Sequence, residues 1–122
     1  MTKKKTSIKI PIGGLPWKVR FLTTKQMGKL HMDLQLLGLT DPAKQEIYVD
    51  YQRTKVTVMS TFFHEFTHAC VANLQGSNES AQGAVNEEAC ANCIGNAMVE
   101  LIPYLQEVIE LVEALIPEED DE

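Results

Sequence analysis

His64-Glu65-Phe66-Thr67-His68 sits in the middle of a stretch with helical patterning, and the fold is read outward from it. Side chains four apart on a helix lie one turn above each other on the same face, so His64 and His68 can grip one metal ion. Two neutral imidazoles on a rigid rod suit zinc, which favours tetrahedral nitrogen, sulfur and carboxylate ligands. Glu65 falls about 100° round the helix, beside such an ion rather than on it. From there it can accept a proton from the attacking water and hand it on, as a general base. The bland alternative is a helix carrying two surface histidines and a glutamate, with no metal. The neighbouring residues argue against that. Met59, Phe62, Phe63, Phe66 and Cys70 cluster on the side away from the histidines, whereas Thr57, Thr61 and Gln75 fall near them. An apolar back anchors the rod and keeps a polar front for chemistry.

A catalytic zinc needs a third protein ligand and one position left for water. The candidates are Glu87 and Glu88, nineteen and twenty residues after His68. If that stretch is helical, Ala81, Ala84, Ala91, Asn92, Gly95 and Val99 lie within about 60° of Glu88. Such a strip of small residues lets a second helix approach closely enough to lay a carboxylate against the ion. Glu87 falls about 100° away, with Ile94, Met98 and Leu101, and reads also as a surface carboxylate near a helix start. Glu88 is the preferred third ligand. Asn92, one turn later, is placed either to orient a ligand histidine through its free ring N–H or simply to sit in water.

The 122 residues suffice for one domain with a single core. A hydrophobic share of 44% and a charged share of 23% are ordinary for a globular chain. The net charge of −6 argues against a nucleic-acid-binding surface. Lys3 to Lys5 and Glu118 to Glu122 form opposite-sign runs at the two ends, read as solvated tails. No apolar run follows the lysines and no stretch is long enough to span a bilayer, so neither a secretory leader nor a membrane role is expected. Cys70, Cys90 and Cys93 are an odd number, which fits a reducing, cytoplasmic setting, with packing as their expected role.

Residues 1–14 read as a flexible basic arm ending in Gly13-Gly14, residues 15–116 as the domain, and residues 117–122 as an acidic tail. Leu15 to Leu22 alternates apolar and basic residues, the pattern of a half-buried strand with Trp17, Val19 and Phe21 inward. Thr23 or Thr24 caps a short helix to about Met32, with Met27 and Leu30 inward. Leu36 to Thr40 and Gln45 to Asp50 form a hairpin around Asp41-Pro42. The metal helix then runs from Thr54 or Lys55 to Leu74. A second helix is expected from Ser80 to Ile102, ended or kinked by Pro103, and a third from Tyr104 to Ile116. The fold class is α+β: a sheet of about three strands, antiparallel or mixed, packed on the metal helix and C-terminal helices.

His64-Glu65-x-x-His68 followed by Glu88-x-x-Ala91-Asn92 resembles small gluzincin-type zinc metallopeptidases, nearest the ImmA/IrrE group and related short phage and prophage proteins. The likeness covers roughly residues 15–102, including the strand, hairpin and strand that lead into the helix. It implies a minimal zincin-like fold, His64, His68 and Glu88 as zinc ligands, Glu65 as catalytic base, and a phage or prophage origin. Thr67 stands where that group commonly has glycine, and Glu100-Leu101-Ile102-Pro103 only loosely matches its proline-terminated segment.

The expected activity is hydrolysis of a protein or peptide substrate. Tyr48, Tyr51, Tyr104 and His31 are the side chains eligible to stabilise the oxyanion. The edge of the sheet, placed at Gln45 to Asp50, is expected to hold an extended substrate strand. The competing reading is a zinc-stabilised, non-catalytic module that docks a host or phage partner, in which Cys70, Cys90 or another side chain closes the fourth zinc position.

Overall fold

The computed structural model describes residues 5–30, 36–76 and 87–116. In chain order the elements are β1 (Ser7–Ile12), β2 (Leu15–Leu22), α1 (Thr24–Leu30), β3 (Gly38–Asp41), β4 (Glu46–Asp50), α2 (Lys55–Gly76) and α3 (Glu87–Leu115). The class is α+β, with a mixed four-stranded sheet in the order β1-β2-β4-β3. β1 and β3 each pair antiparallel with their neighbour, while β2 and β4 run parallel.

The extra strand is a correction. Residues 7–12 are not a loose arm but the first strand of the sheet. Ile8, Ile10 and Ile12 alternate inward and are all buried, the period-two signal of a half-buried strand. Gly13 and Gly14 both have positive φ, 61° and 81°, which a two-residue hairpin turn demands and only glycine takes freely. The hairpin register sets Ile10 opposite Trp17 and Ile8 opposite Val19.

β2 matches the expected strand end for end, with Trp17, Val19 and Phe21 buried. Thr23 caps α1 by a reciprocal pair of bonds: Gln26 N–H donates to Thr23 Oγ1 at 3.1 Å, and Thr23 N–H to Gln26 Oε1 at 2.8 Å. Met27 is buried as expected, but Leu30 is 45% exposed.

Successive side chains of a strand face opposite ways. Ile47 and Val49 join the main core beneath α2 and α3, whereas Tyr48 joins Leu22 and Met27 in a small cluster under α1 on the other face. Burial, then the bond from its hydroxyl to Glu46, pushes the Tyr48 phenol up from 10.0 to about 12. The folded state therefore holds that proton more tightly than the unfolded chain. The stability it contributes is complete below pH 10 and is lost as pH rises towards 12. Urea titrations across that window are expected to show a smaller alkaline loss of stability in Tyr48→Phe than in the wild type; an identical loss would refute the assignment.

α2 starts as expected, capped by Thr54, whose Oγ1 accepts from Thr57 N–H at 3.2 Å. Its seating is reinforced by Asp50, buried at the end of β4. The Asp50 carboxylate accepts from Thr24 Oγ1 at 2.8 Å, Gln52 N–H at 2.9 Å and Arg53 Nε at 3.1 Å. The end of the sheet, the start of α1 and the entry to α2 are thus tied to one side chain.

The last two expected helices are one. α3 continues from Glu87 through Pro103 to Leu115. Proline forfeits one backbone bond inside a helix. Pro103 sits on the exposed side, and Ala97, Leu101, Val108 and Val112 keep the opposite face in the core on both sides of it. Continuous burial outweighs the single lost bond. No described helix is long and apolar enough to cross a membrane. The acidic tail lies outside the described residues.

Candidate metal centre

α2 carries the histidines on the flank that faces β3. Both are exposed, their rings meet edge-on at 4.8 Å between centroids, and their Nε2 atoms are 3.2 Å apart. A tetrahedral zinc with bonds of 2.0–2.1 Å to two imidazoles holds their nitrogens about 3.3 Å apart. The separation matches that of two ligands on adjacent corners of one zinc, and it is equally that of a hydrogen bond from one ring N–H to the other ring's nitrogen. Thr67, in the place where glycine was expected, points away and returns its hydroxyl to Phe63 O at 2.9 Å. It does not crowd the pair.

Among the described residues Glu65 is the carboxylate that lines the hollows beside the histidines, and it is 7% exposed. Its Oε1 accepts from Thr40 Oγ1 at 2.6 Å, and the same hydroxyl lies 3.1 Å from the Glu65 carbonyl oxygen. On the same face of β3, two residues earlier, is Gly38. A Cβ there would lie 2.7 Å from Thr61 Cγ2, 2.8 Å from Glu65 Cγ and 2.9 Å from Glu65 Oε2. The absent side chain is the space in which the carboxylate rests. A groove follows the line between β3 and α2. Two adjoining hollows, of about 520 and 660 Å³, share Leu36, Gly38, His64 and Glu65. In the sequence Gly38 and Thr40 figure only as part of the Gly38-Leu39-Thr40-Asp41 hairpin, with no role at the site. The available signal was a glycine inside a strand pattern, which marks a close backbone approach.

Glu88 is not brought to the histidines. It lies exposed in the first turn of α3, and Ala91, Asn92 and Gly95 of its small-residue strip are exposed too. α3 packs instead through Cys93, whose Sγ donates to Cys70 O at 3.4 Å. Cys70 is about 160° round α2 from His68 and about 120° from His64. α3 thus approaches α2 on the flank away from the pair. The side chain of Glu87 lies outside the described part, and among the described residues no three of His, Cys, Asp and Glu converge to hold an ion.

None of the three tyrosines expected as oxyanion donors lines the groove. Tyr48 is buried with its hydroxyl on Glu46, Tyr51 packs against the main core, and Tyr104 lines a separate hollow beside the β1–β2 hairpin. His31 is outside the described residues. The stretch expected to be an open sheet edge is not one. β4 is interior, paired on both sides, so the edge beside α2 is β3. Parallel pairing of β2 with β4, invisible to a local reading, is what encloses β4. Cys70 is buried and Cys93 half-buried, and burial pushes the Cys70 thiol up to about 12. This agrees with cysteines that serve packing. No family model, curated protein or solved structure matches the chain.

Proposed function

We propose that this chain is a zinc-dependent peptidase of the gluzincin type, with His64 and His68 as ligands and Glu65 as general base. The observation that carries the reading is the 3.2 Å separation of the two Nε2 atoms beside a fixed, buried carboxylate. A bound zinc would supply Lewis acidity, polarising the scissile carbonyl and acidifying water. The protein's own part is then acid–base. Glu65 accepts a proton from the attacking water and delivers it to the leaving amine nitrogen. β3, an edge strand with one side unpaired, borders the groove where an extended peptide would lie.

The competing binding-module reading needs a side chain to close the fourth position. Cys70, turned about 160° from His68, is ill placed for that. We favour hydrolysis over closure by Cys70.

Glu88 is proposed as third ligand on its spacing from His68, which requires the first turn of α3 to come round towards the histidines when metal binds. Metal analysis of the purified chain tests both claims. The wild type is expected to hold about one zinc per chain, with loss in Glu88→Ala and retention in Glu87→Ala. A wild type that folds but takes up no zinc would sink the enzyme reading. Retention in Glu88→Ala would move the third ligand elsewhere.

A further inference from the structure

We propose that Thr40 is the positioning residue for Glu65, holding one carboxylate oxygen from the edge strand so that the base is oriented before substrate arrives. The inference rests on the peptidase reading and adds a residue to it. Thr40 comes from β3, twenty-five positions before Glu65, so the contact is made by the fold and not by the helix. At 2.6 Å the bond lies within the range of hydroxyl–carboxylate bonds, which are about twice as strong as neutral ones. A glutamate has three rotatable side-chain bonds, and left in water it would sample many rotamers. With Oε1 on Thr40 and Oε2 in the space left by Gly38, both oxygens are placed by the inner face of one strand. That strand also borders the groove. The base and the groove wall are therefore fixed to each other, and the proton-accepting group is preorganised relative to whatever lies along β3.

A threonine answers the requirement closely. Its branched carbon suits a strand, and its hydroxyl supplies the donor. Valine keeps the shape and removes the donor, whereas serine keeps the donor.

The experiment uses the full chain at one neutral pH, with and without zinc. The side-chain carboxyl carbon resonance of Glu65 is assigned by its disappearance in Glu65→Gln. It is expected to shift in Thr40→Val and to return in Thr40→Ser. Zinc affinity, from chelator competition, is expected to stay within about twofold in Thr40→Val, against the 10- to 100-fold loss typical of residues that orient a metal ligand. With labelled casein as probe, kcat is expected to fall about tenfold or more in Thr40→Val, with KM little changed and kcat restored by serine. A Glu65 resonance that ignores Thr40→Val overturns the positioning role, whatever the activity. A resonance that moves, in a wild type that takes up zinc but cuts no casein or peptide mixture, upholds the contact and overturns the peptidase reading instead.

Discussion

Glu65→Gln is expected to bind zinc like the wild type and to hydrolyse peptide about 10²- to 10⁴-fold more slowly, the usual contribution of a general base. The substitution isolates proton transfer because it leaves almost everything else in place. Glutamine has the same length and shape as glutamate. Its amide oxygen can still accept from Thr40 Oγ1, which reaches Glu65 Oε1 at 2.6 Å. Its NH₂ group would occupy the space beside Gly38 that now holds Oε2. The histidines, one residue before and three after, keep their 3.2 Å spacing because the helix that carries them is untouched. What glutamine cannot do is take a proton from water and return it to an amine. Side-by-side assays of the two zinc-loaded proteins on labelled casein, with metal content measured in the same samples, give the test. Equal rates at equal metal content would remove Glu65 from the mechanism, and unequal metal content would make it part of the ligand set.

The histidine-bearing helix, the strand 15–22 and the β3–β4 hairpin are legible because each is a local pattern with its own period and punctuation. So are the histidine pair and its carboxylate, since helical geometry alone sets their relation. β1 was overlooked although it obeys the same rules. Its three isoleucines lie between a lysine run and a glycine pair, local marks of a chain end and a turn that mask the alternation between them. α3 was misread for a different reason. A helix wheel gives angles between residues but not which side meets a neighbour, and the described part of the strip, Glu88, Ala91, Asn92, Gly95 and Val99, is on the solvent side. Pro103 misled similarly, since a local cost was weighed without the burial on both sides that overrides it. The groove's own wall was the least legible. Gly38 and Thr40 acquire meaning only when β3 is laid against α2, and no local signal connects them to a glutamate more than two dozen residues away.

Gly38→Ala carries the second large effect, and it follows from space alone. The φ angle of Gly38 is not among the positive values, so alanine meets no backbone objection. The obstacle is the helix beneath. An added methyl would sit 2.7 Å from Thr61 Cγ2 and 2.8 Å from Glu65 Cγ, separations that packed carbons do not tolerate. Thr61 is 9% exposed and Glu65 is 7% exposed, so neither can swing freely into water. Either β3 lifts from α2 or the Glu65 side chain is driven out of its seat. Overpacking of this kind costs about 1–3 kcal/mol, to be read as a lower urea midpoint with an unchanged slope. Activity should suffer more than stability. Displacing a reacting group by about 1 Å can cost about a hundredfold in rate, and the methyl must move the carboxylate or its strand by a comparable amount. Zinc uptake should persist, since the methyl approaches neither imidazole among its three nearest atoms. Gly38→Ser would add the same clash, so a rescue by Thr61→Ser or Thr61→Ala is the more telling companion. Removing the Thr61 methyl relieves one of the two carbon clashes, and partial recovery of the urea midpoint is expected in the double variant. A Gly38→Ala protein with full stability and full activity would show that β3 and α2 do not approach as closely as the Glu65 seat requires.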